Sequence, residues 1–238
     1  VSKKKIVILG GSGSIGSAIA TELINDGFDV TIIGRNYSTL EKISKELGCS
    51  FVVSDVTKTE ELKNSLSICA KDIFGLIYCV GSINIKSLST AHENDYVESF
   101  KINTLGAVTA IKSTKDSLLK NNGSILLFSS VAAKQGFTNH TIISTAKGAV
   151  EGLTVSLAAE FAPNIKVNCI APSLTESKIS EPLLKNKIIA EGIAKAHPMK
   201  RIGTGNDSAS MAKFLLTEES SWITGQIIGV DGGRSSLS

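Results

Sequence analysis

The run Lys5–Leu9 leads directly into Gly10-Gly-Ser-Gly-Ser-Ile-Gly16, after which Ile15, Ala18, Ile19 and Leu23 recur at helical spacing. A strand that turns through glycines into a helix opens a βαβ unit, and no other feature constrains the fold as tightly. The alternation then continues. Val30–Ile33 reads as a second strand, followed by a helix near Ser38–Leu47, and Phe51–Val53 as a third strand ending at Asp55. A polar helix near Lys58–Lys71 precedes Leu76–Val80, an apolar run of the kind buried on both faces of a parallel sheet. Two long helices, about Asp95 to Leu119 and about His140 to Glu160, flank a strand at Ile125–Phe128. Lys166–Ala171 and Ile227–Val230 complete the series. The pattern predicts a doubly wound, Rossmann-like α/β fold: seven parallel strands with helices on both faces.

With 238 residues, 42% hydrophobic and 20% charged, the chain has material for one such domain over residues 1–238. No repeat, low-complexity tract or linker divides it. A net charge of +3, from 25 basic and 22 acidic residues, points to neither nucleic acid nor membrane as a partner. Lys3-Lys4-Lys5 is expected to keep a sheet edge soluble. Cys49, Cys69, Cys79 and Cys169 form no Cys-x-x-Cys pair, so neither a metal site nor a disulfide framework is expected. No apolar run is long enough to span a bilayer and the start carries no signal-peptide pattern, which fits a reducing cytoplasm. From residue 173 to 205 the apolar pattern weakens. There Leu183, Leu184, Ile188 and Ile189 mix with Lys185 and Lys187, as in an amphipathic helix lying over a substrate pocket.

The glycine-rich turn lets a backbone approach a pyrophosphate, whose charge the following helix N-terminus favours. After the second strand, Gly34-Arg35-Asn36 holds no acidic residue to accept from ribose hydroxyls, whereas Arg35 can pair bidentately with a 2′-phosphate. NADP is therefore expected in preference to NAD.

Gly123-Ser-Ile-Leu-Leu-Phe-Ser-Ser-Val131 and Ser144-Thr-Ala-Lys147-Gly-Ala-Val150 resemble the catalytic half of the short-chain dehydrogenase/reductase family. The likeness runs from Lys5 to the closing Trp222-Ile-Thr-Gly225 and Asp231-Gly-Gly233. It assigns Gly10, Ser12, Gly13, Ser14, Ile15 and Gly16 to the dinucleotide loop. The family pattern there is Thr-Gly-x-x-x-Gly-x-Gly; here Leu9 replaces the threonine, Ser14 replaces the middle glycine, and Gly13 is displaced by one. The resemblance further implies that Asp55 and Val56 contact adenine, that Lys147 holds the ribose, and that Pro172, Thr175 and Ser177 meet the nicotinamide half. Ile170 would pack beside the ring. Gly81 ends the family's Asn-Asn-Ala-Gly stretch, but Tyr78, Cys79 and Val80 replace its first residues, which implies weakened cross-links around that strand. Relatives are commonly dimers or tetramers built on the two long helices, so a homodimer or homotetramer is implied.

The family's catalytic pair is Tyr-x-x-x-Lys. Lys147 is present, but Ile143 stands four residues before it, and none of Tyr37, Tyr78 and Tyr96 has a lysine four residues on. Asn103 and Ser130 fall on the family's remaining catalytic positions, where serine polarises the substrate oxygen and asparagine positions a relay water. An aliphatic side chain cannot move a proton. His140, seven residues before Lys147, shares its helical face and matches the wider tyrosine–lysine spacing of enoyl-thioester reductases in the same superfamily. The alternative is a helix-start histidine in water, with Asn139 as the N-cap. His92 and His197 show no partner pattern. Two main functions are thus open, beside a smaller possibility of non-redox chemistry in the cofactor pocket, against which Arg35 and Asp55 argue. One is an NADP-dependent oxidoreductase acting on a small-molecule carbonyl or activated alkene, with His140 or an Asn103/Lys147 water relay moving the proton. The other is a catalytically silent dinucleotide-binding regulator or scaffold subunit.

Overall fold

A computed structural model of the chain describes residues 3–237. Its strands are β1 (Lys5–Leu9), β2 (Asp29–Gly34), β3 (Ser50–Val53), β4 (Ile73–Tyr78), β5 (Ser124–Phe128), β6 (Lys166–Pro172) and β7 (Ile227–Val230). They form one seven-stranded sheet in the order β3-β2-β1-β4-β5-β6-β7, every pair parallel. The helices are α1 (Ser14–Asn25), α2 (Tyr37–Leu47), α3 (Thr59–Cys69), α4 (Glu93–Phe100), α5 (Gly106–Lys120), α6 (Thr141–Phe161), α7 (Glu181–Leu184), α8 (Lys187–Ala196) and α9 (Gly205–Leu216).

Strand alternation sorts the core into two layers. Val7, Leu9, Leu76 and Leu127 pack with Ala107, Ile111 and Val150 of α5 and α6, whereas Ile6, Ile8 and Ile32 pack with Ile19, Leu23 and Leu215 of α1 and α9. The order in which strands are added reverses between β1 and β4, and the crevice at the carboxyl ends of these strands is where such sheets bind ligands.

Four expectations need correction. β4 begins at Ile73 and ends at Tyr78, not Leu76–Val80. Gly75 interrupts the apolar pattern but belongs in the strand, because the Ile6 side chain fills the space its Cβ would take. The long helix from Asp95 to Leu119 is split by a π-helical turn at Lys101–Leu105. There the Tyr78 hydroxyl donates to the Ile102 carbonyl at 2.5 Å, and Gly106 makes room, since any Cβ would collide with that hydroxyl. Tyr78 therefore supplies a cross-link between strand and helix rather than losing one. Finally, Lys4 guards no sheet edge, since β1 is a central strand. It pairs with Glu218 at 2.9 Å and lies 3.9 Å over the Phe74 ring.

Residues 173–205, where a lid is expected, contain two short helices, α7 and α8, with Leu183 and Ile193 facing the crevice and Ile188 and Ile189 exposed. Ile188 and Ile189 therefore do not belong to the covering face. Among the described residues no helix is long and apolar enough to cross a membrane, and no cluster of three or more His, Cys, Asp or Glu is placed to hold a metal ion.

Candidate active site

The crevice is a cavity of about 750 Å³ running from the first turn of α1, past the ends of β4, β5 and β6, to the lid. At one end Ser12, Gly13, Ser14, Ile15 and Gly16 line it. Gly10 lies beneath, at φ +83°, where a Cβ would stand 2.9 Å from the Cys79 backbone. Gly13 is the N-cap of α1. No side chain accepts from the first-turn N–H groups and no acidic residue sits in that turn, so these donors are left for an anion. Among the described residues, no Asp or Glu lines the cavity. The chemistry of this end fits the pyrophosphate of a dinucleotide.

Arg35 and Asp55 lie apart from the cavity wall, just after β2 and β3. Arg35 is exposed, with no carboxylate within 4.0 Å among the described residues. Burial pushes the Asp55 carboxyl up, but the Thr57 amide (2.9 Å) and hydroxyl (2.8 Å), with Arg35 and Lys58 nearby, bring it below its ordinary range. Val56 is buried in the core.

In the middle of the cavity the residue at 143 is the 5%-exposed Ile143, and Lys147 lines the wall one helical turn on. Lys147 Nζ donates to the Phe128 carbonyl at 2.8 Å. Burial lowers its pKa to about 8, partly offset by the neighbouring Cys169 and Cys79. Asn103 sits in the π-turn, donating to the Ser99 carbonyl at 2.9 Å, while its Oδ1 is buried without a partner. Oδ1 and Lys147 Nζ flank Gly81: a Cβ there would lie 3.3 Å from the one and 3.5 Å from the other. An unpaired acceptor beside a buried ammonium is a place for a polar ligand group or a water. Asn103 itself is not on the cavity wall. Ser130 is. Its Oγ accepts from the Ala132 amide at 3.2 Å, leaving the hydroxyl proton free to be donated.

His140 lines the same cavity and occupies the N-cap position of α6. Asn139, the cap under the alternative reading of His140, instead adopts φ +67°, the left-handed conformation that asparagine tolerates. His140 Nδ1 is 2.7 Å from the Thr138 carbonyl, which can only accept. Nδ1 therefore carries a proton, and Nε2 has no hydrogen-bond partner among the described residues.

Pro172, Thr175 and Ser177 line the far wall. Thr175 Oγ1 donates to the Ser173 carbonyl at 3.0 Å, and the Ser177 and Ser180 hydroxyls pair at 3.0 Å. Ile170 does not line the cavity. It is fully buried in the core on the α1 side of β6, because its side chain alternates away from the crevice. Sequence reasoning missed His197. It is buried and lines the cavity, with one ring nitrogen 2.8 Å from Ser173 Oγ and the other 2.7 Å from the Ile193 carbonyl. It also missed Phe137 and Arg234, which share the lid-side rim.

The family model described as enoyl-(acyl carrier protein) reductase matches residues 10–235. The chain is a short-chain dehydrogenase/reductase. As members of this oxidoreductase family, its relatives align end to end. Nodulation protein G of Rhizobium meliloti is 31% identical over 98% of this chain and 98% of its own length. Dehydrogenase/reductase SDR family member 4 of Sus scrofa is 28% identical over 99% of this chain and 88% of its own. Among solved structures, ElxO with NADP bound superposes with a TM-score of 0.92 at 28% identity, covering 99% of this chain and 100% of that one.

Proposed function

We propose that this short-chain dehydrogenase/reductase is an NADP-dependent oxidoreductase acting on a carbonyl or activated alkene, with His140 in place of the family's tyrosine as proton donor. The observation that carries this is the convergence of Ser130, His140, Lys147 and the uncapped first turn of α1 on one cavity. NADP bound in ElxO supports the same cofactor here, and Arg35 without an acidic neighbour at positions 34–36 supports the 2′-phosphate form. The α1 turn, Gly81, Pro172, Thr175 and Ser177 would hold the dinucleotide, with Asp55 and Val56 toward adenine. When bound, the cofactor supplies or accepts the hydride. The protein's part is the rest. Ser130 would donate a hydrogen bond to the substrate oxygen, and the buried Lys147 ammonium would hold a ribose hydroxyl. His140 Nε2, charged as imidazolium, gives one proton to the alkoxide or enolate left by hydride addition. Asn103 supports a water beside Lys147.

Replacing His140 by Ala is expected to lower turnover about 100-fold or more while NADPH binding is retained. An unchanged rate in that variant would exclude the role of His140. One observation favours the second reading, a silent dinucleotide-binding subunit: Ile143 itself occupies the tyrosine's place on the cavity wall. Tight NADPH binding with no turnover on any carbonyl or enoyl thioester would establish it.

We also infer a homodimer or homotetramer. Val97, Phe100, Leu105 and Val155 on and between α4, α5 and α6 are large, apolar and exposed, which supports an interface there. Four cysteines without a disulfide suit a reducing cytoplasm.

A further inference from the structure

Beyond the dinucleotide end, the cavity has a composition that narrows its substrate. Its lid-side wall is apolar, formed by Ile83, Ile85, Ile179, Leu183 and Ile193. At the rim of this wall stands Arg234, from the tail that follows β7. Its guanidinium lies 5.5 Å over the Phe137 ring and donates to the Ala196 carbonyl at 3.1 Å. Three segments thus meet at one cation: the end of α8, the loop between β5 and α6, and the C-terminal tail. Neither contact neutralises the charge. No carboxylate lies within 4.0 Å of Arg234 among the described residues, although Arg201 has such a partner in Asp207. Lys178 faces the same cavity, and no acidic residue lines it among the described residues.

We infer that the substrate is an apolar carbonyl compound ending in a carboxylate, and that Arg234 receives that end. A guanidinium tethered by the Ala196 carbonyl and facing the Phe137 ring at 5.5 Å is held at the rim, so it pairs with a carboxylate at reduced entropic cost. The apolar wall suits the hydrocarbon part of such a substrate. The anionic end is argued independently of hydride transfer; only the carbonyl rests on the oxidoreductase reading above.

Calorimetric titration with octanoate and with octanamide tests the anionic end without requiring turnover. Wild-type protein is expected to bind octanoate about 10-fold or more tightly than octanamide, with or without saturating NADPH. Arg234→Gln should erase that preference by about 10- to 100-fold, and Arg234→Lys should retain part of it. Equal binding of the two probes, no binding of either, an unaltered preference in Arg234→Gln, or displacement of octanoate by NADPH would each overturn the inference. The last outcome would mean that the carboxylate sits on the phosphate end. With NADPH present, the kcat/KM ratio of azelaic semialdehyde to its methyl ester should fall in Arg234→Gln by a similar factor. If neither aldehyde is reduced but Arg234-dependent octanoate binding persists, the oxidoreductase reading fails and the carboxylate site stands.

Discussion

Ser173 Oγ and His197 Nε2 are hydrogen-bonded across 2.8 Å, and Nδ1–H of the same ring donates to the Ile193 carbonyl 2.7 Å away. One imidazole thereby ties the last turn of α8 to the end of β6, joining the lid to the wall where the nicotinamide half would lie. With His197 only 2% exposed, its removal leaves a cavity and two unpaired polar groups. His197→Ala is expected to cost about 2–4 kcal/mol in urea unfolding. Ser173→Gly, which leaves only Nε2 unpaired, should cost about 1–2 kcal/mol. A loss below roughly 0.5 kcal/mol for His197→Ala, the range of an ordinary surface change, would show that the tie is not formed in solution.

Lys147 should be a stability liability that serves the site. Its pKa is about 8 when folded against an ordinary 10.5, with burial as the main cause. The folded value is the lower one, so between pH 8 and 10.5 the unfolded chain binds more protons and stability rises with pH through that window. Below pH 8 the penalty is present in full. Lys147→Met is therefore expected to raise unfolding free energy at pH 7 by about 1–3 kcal/mol, the gain fading above pH 10, while turnover is lost. Melting curves at the two pH values decide it. A destabilised variant at pH 7 would mean that the bond to the Phe128 carbonyl outweighs the burial cost.

The βαβ alternation and the glycine turn were legible because strand and helix periodicity are local. What the sequence hid was produced by contacts distant along the chain. Tyr78 looked like a lost cross-link, yet its hydroxyl reaches Ile102, 24 residues on, and that bond accompanies the π-turn that splits the predicted helix. His197 looked bland because its partner Ser173 lies 24 residues back, across the lid. Ile170 was placed beside the nicotinamide by analogy, but strand alternation turns it into the core. Asn139 was the cap in the alternative reading of His140 because asparagine caps well; it is also a residue that tolerates positive φ, and that preference won.

The Tyr78 bond makes its own forecast. Tyr78→Phe leaves the Ile102 carbonyl without that donor in a buried setting, and is expected to cost about 1–3 kcal/mol. Because Asn103 follows Ile102 in the π-turn, turnover should fall along with stability. Reduced stability with full turnover would separate the π-turn geometry from catalysis.

Ile143→Tyr restores the family's donor on the cavity wall, one turn before Lys147. The side chain borders open space, so the larger ring should cost no more than about 1–3 kcal/mol. Carbonyl reduction with NADPH is expected to rise about 100-fold or more. If the wild-type baseline is zero and the variant turns over, the silent-subunit reading gains. If neither turns over while both bind NADPH, the remaining site is mispositioned for hydride transfer.

Arg35 offers the sharpest test of cofactor choice. It is exposed just after β2 with no carboxylate partner among the described residues, yet it helps lower the Asp55 carboxyl, so its positive field reaches the strand-end rim. A 2′-phosphate would pair with it, whereas a free ribose would not. Arg35→Asp both removes that partner and offers an acceptor to ribose hydroxyls. The ratio of NADH to NADPH dissociation constants is expected to fall about 100-fold or more, with weaker NADPH binding and stronger NADH binding both contributing. Because the substitution lies away from the cavity wall, the thermal midpoint should hardly move. A ratio that shifts less than about threefold would assign the 2′-phosphate to another group, and would leave Arg35 as a solvated strand-end charge.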